Sequence, residues 1–221
     1  MVAKKLINQI VPPLKPEDTV QKALSWMGEF HVQHLPIIGV GRVYVGTVSE
    51  YDLIDIAKAD DQLKDLELSM EKIAVREGDH VYEVMKTMHE HQISTMPVLD
   101  QEEAYVGLIT LDNLLSHFAD ASALKDPGGI IILEMAPKAY ALSEISKIVE
   151  MNDANVLSMY VSQDEKTRSL AVTLKINKSD LNDIIATFER YEYMVKASYQ
   201  EEDYLEDLKG KLDEFMHYLN I

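Results

Sequence analysis

Two stretches of this chain place a hydroxyl and an amide or carboxylate three residues apart, each directly after an apolar run: Ser49-Glu50-Tyr51-Asp52 and Thr110-Leu111-Asp112-Asn113. The pattern predicts a helix start in both places. Ser-x-x-Asp there is close to a capping box, with Asp in place of Glu. The same groups suit a ligand. A carboxylate is acceptor-only and can take both donors of a cis-diol. A helix N-terminus offers free amides and a positive dipole to a phosphate. Cap and site can hold at once. Asn113 has one oxygen and no charge where Asp52 has two oxygens and a charge, so the second stretch is the poorer diol acceptor. Asp112 does not replace it, because neighbouring helix residues lie about 100° apart.

The two stretches belong to a repeat. At an offset of 61 residues, Asp18-Thr19-Val20 falls on Asp79-His80-Val81, and Met27 on Met88. Leu35-Pro36-Ile37 falls on Met96-Pro97-Val98, Tyr44-Val45-Gly46 on Tyr105-Val106-Gly107, and Leu53 on Leu114. A fixed offset means one structural unit used twice. The cleft between two such copies is the first place to look for a site. Each copy opens on a short apolar segment (Ile10-Val11; Ile73-Ala74-Val75) read as a strand. Asp18 and Asp79 are expected N-caps, each followed by an apolar stripe at helical spacing: Val20, Ala23, Leu24, Met27 and Val81, Val84, Met85, Met88. Then come a proline-bearing strand at 34–38 or 95–99, a turn at 39–42 or 100–103, a strand at 43–48 or 104–109, and the helix start. The order is strand, helix, strand, strand, helix.

That order resembles the CBS domain, with its apolar-Pro-apolar strand and its Gly-apolar-apolar-Ser/Thr-x-x-Asp segment. CBS domains occur in tandem, and the resemblance covers roughly residues 1–120. It implies a pseudo-twofold pair, a Bateman module, that regulates rather than catalyses. It binds adenosine nucleotides or S-adenosylmethionine as regulatory ligands and requires no cofactor. The resemblance places Ser49 on phosphate and Asp52 on the ribose hydroxyls, with Pro12, His34, Leu35 and Pro36 walling that cleft. Thr110, Asn113, Met96 and Pro97 are their counterparts in the second copy. Asn113 departs from the family's Asp, so the resemblance implies one better site and one weak or empty site. His34 could meet a phosphate and strengthen binding as pH falls; it reads equally well as a histidine half-buried at an interface.

Composition narrows the rest. The chain has 221 residues, 47% of them hydrophobic, with 38 acidic against 21 basic and a net charge of -17. With no basic patch, that balance argues against nucleic acid and against an anionic membrane surface. There is no cysteine, hence no thiolate nucleophile and no Cys-based zinc site. The N-terminus lacks a signal-like apolar run, and no stretch approaches the roughly 20 apolar residues of a membrane span. The expectation is a cytoplasmic protein. No nucleophile-base-orienter set is visible, so no enzyme is expected. His31 with His34, and His89 with His91, fall short of a metal site. The acidic Asp60, Asp61 and Asp65 read as a solvated loop.

After Asp126-Pro127-Gly128-Gly129, a boundary signal, the pattern changes. Strands are expected at 130–135, 156–161, 170–176 and 193–198. A helical stripe of Leu142, Ile145, Ile148 and Val149 lies between the first two, and one of Leu181, Ile184, Ile185 and Phe188, capped by Ser179 or Asp180, before the last. The order β-α-β-β-α-β is ferredoxin-like and resembles an ACT domain. The family's Asp-x-Pro-Gly after the first strand becomes Glu134-Met135-Ala136-Pro137-Lys138, which keeps the proline and lacks the glycine. The tail, residues 201–221, reads as an amphipathic helix. The expected fold class is thus α+β / α/β: CBS repeat 1 at 1–62, CBS repeat 2 at 63–125, an ACT-like domain at 128–200 and a C-terminal helix at 201–221. This arrangement is similar to that of AcuB-type acetoin-utilisation proteins. It implies a sensor that relays an adenosine ligand through its ACT-like domain, as a homodimer, to an effector protein. The other reading is a non-catalytic interaction or dimerisation module with degenerate clefts.

Overall fold

A computed structural model describes residues 1–56, 58–66 and 72–200. The expected helix at 201–221 lies outside these. The chain divides into two compact units, 1–117 and 118–221.

In the first unit the repeat is visible bond by bond. Helix α1 (Val20–Glu29) buries Val20, Ala23 and Met27, and α3 (Val81–His91) buries Val81, Val84 and Met88. Strands β1 (His34–Ile38) and β2 (Tyr44–Ser49) pair antiparallel, as do β4 (Thr95–Leu99) and β5 (Tyr105–Thr110). Pro36 opposes Thr47 and Pro97 opposes Leu108, with a register shift one residue later in each hairpin. The two copies close on α2 (Glu50–Ile56) and α4 (Leu111–Ala121). His31 and Gln92 both take left-handed backbone after their helices.

Two expectations are corrected. The N-caps are Thr19 and His80, whose side chains accept the N–H groups of Lys22 and Tyr82. The aspartates sit one residue too early to cap. Their carboxylates instead close the preceding turn, Asp18 on the Lys15 N–H at 2.8 Å and Asp79 on the Arg76 N–H at 2.7 Å. The opening strand is also misplaced. Ile10-Val11 is a bend, because the Asn8 side chain accepts both of their N–H groups, at 2.7 and 3.0 Å. The strand position is Leu14, which bridges Ile37 in parallel. Its mate at the repeat offset is Val75, in β3 (Val75–Arg76), which pairs in parallel with Val98 of β4.

The copies exchange segments. Lys64 N–H donates to the Pro16 carbonyl, Leu63 N–H to Asp18, and Val20 N–H to Asp61. In the second copy the same bonds come from the N-terminus: Lys4 N–H to Glu77, Ala3 N–H to Asp79, and Val81 N–H to the Met1 carbonyl. Leu63 accordingly lies in the core with Leu14, Val20 and Leu35, while Ala3 and Leu6 lie in the core with Val75, Val81 and Met96.

In the second unit β6 (Gly129–Met135), α5 (Leu142–Glu150), β7 (Val156–Gln163), β8 (Leu170–Ile176), α6 (Asn182–Arg190) and β9 (Met194–Tyr199) follow in the expected order. The sheet is antiparallel with order β7-β8-β6-β9, the ferredoxin-like arrangement. Alternate residues of β6 are buried, and Ile131 and Leu133 share a core with Ile145, Ile148, Ile184 and Phe188 of the two helices. Asp180 accepts the Asn182 N–H at 3.0 Å, although the N-cap position itself is Leu181.

Gly128 enters β6 at φ +139, and a Cβ there would lie 2.0 Å from the Ile176 carbonyl oxygen. Backbone cannot yield as a side-chain tip can. Gly128→Ala is expected to cost about 2 kcal/mol or more, read as a lowered midpoint of urea denaturation.

Candidate functional site

Ser49 is the last residue of β2 and Glu50 the first of α2, so the Ser-x-x-Asp segment spans a strand-to-helix corner. The Ser49 hydroxyl donates to Asp52 Oδ2 at 2.7 Å and accepts the Asp52 N–H at 3.1 Å. This is the capping interaction, and it holds an exposed carboxylate at a fixed angle. A cleft of about 370 Å³ opens beside it, lined by His34, Thr47, Ser49 and Asp52 from the first copy and by Ile73, His91 and Ile93 from the second. An adjoining depression shares His34 and Ser49 and adds Gln33, Glu50, Tyr51 and Ile54. The Tyr44 hydroxyl donates to the Ile73 carbonyl at 2.9 Å and contacts Thr47 Oγ1 at 2.8 Å, tying the far wall to the near one.

The copies meet through equivalent residues. Gln33 N–H donates to the hydroxyl of its own repeat mate, Ser94, at 2.9 Å. The Thr95 hydroxyl donates to the carbonyl of its mate, His34, at 2.9 Å. Val43 and its mate Ala104 form a β-bridge. Contacts between mates fall where a pseudo-twofold axis passes. At this seam the Ser94 N–H donates to His34 Nδ1 at 3.2 Å, and Ser94 Oγ lies 3.2 Å from the same nitrogen. A backbone donor on Nδ1 requires that nitrogen to be unprotonated, so the neutral ring carries its proton on Nε2. Burial pushes the His34 pKa down; Asp52 nearby pulls it the other way.

The second copy builds the same corner differently. Asn113 Oδ1 accepts the Thr110 N–H at 3.1 Å and the Thr110 hydroxyl at 2.8 Å. It also receives the Asn8 side-chain amide at 3.2 Å. Thr110 is 5% exposed, whereas the Ser49–Asp52 pair is exposed.

Of the residues singled out from sequence, His34, Ser49 and Asp52 come together at one cleft, and Thr110 and Asn113 form a separate corner. The Leu35 and Met96 side chains are fully buried in the two core clusters. Pro36 and Pro97 are buried within their hairpins. The first cleft is lined not by Pro12 but by its repeat mate Ile73. The reason is the pseudo-twofold arrangement, in which each cleft takes one wall from the other copy. Ile73, His91, Ile93, Ser94 and Asn8 carry no motif; the one signal for Ile73 is its place 61 residues after Pro12. Among the described residues, no group of three or more His, Asp or Glu is placed to hold a metal ion. Among them, too, no helix is long and apolar enough to cross a membrane.

A duplicated β-α-β-β-α unit with a Ser/Thr-ended strand at each corner defines a tandem two-copy module. The chain belongs to the CBS domain family, whose pattern matches residues 3–59 and 63–120. CBS domains are regulatory nucleotide-binding modules. The inosine-5'-monophosphate dehydrogenase of Methanocaldococcus jannaschii is 22% identical over 148 residues, 67% of this chain and 30% of the dehydrogenase. The match thus spans under a third of that enzyme and runs mainly through its CBS domains, not its catalytic region. A CBS domain pair/ACT domain protein from Thermotoga maritima is 25% identical, with a TM-score of 0.49 over 55% of this chain and 98% of that one. A CBSX2 structure in complex with AMP is 22% identical, with a TM-score of 0.47 over 54% of this chain and 96% of that one.

The His34 geometry gives a pH test. Its pKa is lowered in the folded state, so the unfolded chain takes up the proton first. Stability is therefore full above the ordinary histidine value of about 6.5 and falls as pH drops from there toward the folded value. His34→Gln is expected to show a smaller loss of melting temperature than wild type between about pH 7.5 and 5.5, measured by calorimetry. An identical loss in both proteins would show that His34 does not titrate against the fold.

Proposed function

We propose that this chain is a regulatory sensor that takes an adenosine-containing ligand (AMP, ADP, ATP or S-adenosylmethionine) into the cleft between its CBS copies. The Asp52 carboxylate accepts the two ribose hydroxyls, Ser49 faces phosphate, and His34 offers Nε2–H. The observation that carries this reading is the placement of Ser49 and Asp52 opposite Ile73, His91 and Ile93 across one cleft. A ligand bridging both copies stabilises whichever relative arrangement it fits better, which is what regulation by binding requires. The ferredoxin-like unit, read as an ACT-like domain at 128–200, relays that change through a homodimer to an effector protein in the cytoplasm.

The lining bears on which ligand fits. The two adjoining depressions are walled by Glu50 and Asp52, with His34 and His91 and no Lys or Arg among the described lining residues. Without fixed cations a polyphosphate is repelled more than a monophosphate, and a sulfonium is attracted. The expected order of affinity is S-adenosylmethionine or AMP ahead of ATP.

A second reading is a non-catalytic interaction module with degenerate clefts. The engagement of Asn113 within its own corner favours it for the second copy. Isothermal titration with AMP, ATP and S-adenosylmethionine separates the two. Binding is expected, and Asp52→Ala should weaken it at least about tenfold, because a charge-assisted pair of hydrogen bonds contributes about 1.5–3 kcal/mol. No binding of any adenosine ligand would establish the second reading. Binding that Asp52→Ala leaves intact would remove Asp52 from the site.

A further inference from the structure

We propose that the second ribose corner is filled by the chain itself: Asn8 stands in for a diol donor and plugs the Thr110–Asn113 site. The orientation of both amides is set by backbone donors rather than chosen. The Thr110 N–H can meet only an acceptor, so the Asn113 oxygen points to it. The Ile10 and Val11 N–H groups likewise fix the Asn8 oxygen on their side. What remains facing Asn113 Oδ1 is the Asn8 NH2, at 3.2 Å. Asn113 Oδ1 then has three donors on one oxygen, from Thr110 N–H, Thr110 Oγ1 and Asn8 Nδ2. A carbonyl oxygen has two lone pairs; the Thr110 hydroxyl can rotate away, but the Thr110 N–H and the Asn8 amide between them fill both and leave no capacity for a ribose hydroxyl.

The backbone reinforces the plug. Asn8 N–H donates to the Leu108 carbonyl at 2.7 Å, laying residue 8 on β5 as an antiparallel bridge. The preceding residue is seated on a glycine, for a Cβ on Gly107 would lie 2.3 Å from Ile7 Cγ2. One backbone hydrogen bond, a glycine cradle and an amide-to-amide bond thus hold residues 7 and 8 against the corner. Asn8 needs only an oxygen acceptor there, and the Asn113 amide supplies one at a part-buried corner without a charge. One copy keeps a carboxylate for a ligand; the other spends its acceptor on the fold.

The nucleotide half of this inference rests on the proposed function; the plug itself does not. The discriminating substitution is Asn8→Asp. It keeps the oxygen that holds the Ile10 and Val11 N–H groups but presents no donor to Asn113. Asn8→Ala, which removes both contacts, is the companion. Hydrogen exchange on the full chain reads the plug without any ligand: the Asn8 amide is expected to exchange at least about tenfold faster in Asn8→Asp than in wild type. Titration with AMP reads its consequence, one equivalent per chain in wild type and two in Asn8→Asp. Unchanged exchange in both variants would overturn the plug. So would two equivalents in wild type, or one in Asn8→Asp despite accelerated exchange. If AMP binds neither wild type nor variant, the proposed function fails and the exchange rates alone decide the plug.

Discussion

The cleft depends on one short seam. Ser94 gives its N–H to His34 Nδ1 while its hydroxyl accepts the Gln33 N–H, and Thr95 returns a bond to the His34 carbonyl. These contacts join the copies where β1 and β4 meet, and two of them pair residues that are equivalent in the repeat, Gln33 with Ser94 and His34 with Thr95. Contact between equivalents forces a twofold relation, and a twofold relation forces the Ser-x-x-Asp corner of one copy to face the other copy's wall. A polar seam also differs from an apolar one in specificity. Hydrogen bonds lock one register and leave an unpaired donor if it slips, whereas apolar faces tolerate sliding.

The exchange of segments makes the seam hard to open. Residues 63 and 64 satisfy carbonyls ahead of α1, and residues 3 and 4 satisfy the equivalent carbonyls ahead of α3. Ala3 and Leu6 are core residues of the copy that follows them by some 70 positions. Separating the copies would therefore expose apolar surface as well as break polar bonds. The two copies are thus stitched by the chain as well as by the seam.

Much of this was legible because duplication converts one ambiguous pattern into two agreeing ones. Pro36 and Pro97 marked the hairpins, and their register matches residue for residue. The ferredoxin-like order of the second unit followed from periodicity alone, as the alternating burial of β6 illustrates. What sequence misplaced was decided by single side-chain to backbone bonds. Asn8 turns Ile10-Val11 into a bend by capturing two N–H groups, and apolar residues alone cannot announce that. Asp18 and Asp79 are good caps by type, yet Thr19 and His80 stand at the position where the helix needs them. The site was half legible. Ser49 and Asp52 carry chemistry in their types, whereas Ile73, His91 and Ile93 matter only through position.

The two corners show how a duplicated site loses symmetry without losing its fold. Both close the strand-to-helix junction with the same pair of bonds: hydroxyl to the oxygen three residues on, and N–H back to the hydroxyl. That pair needs only an acceptor oxygen, so Asp and Asn serve the junction equally. Ligand recognition asks more, because a diol needs acceptor capacity beyond the cap. In Asp52 the cap engages Oδ2 of two carboxylate oxygens. In Asn113 the cap and Asn8 share the single oxygen. The fold therefore constrains these positions to an oxygen, and only ligand binding distinguishes a carboxylate from an amide. Asymmetry can arise at this position because folding is indifferent to the change.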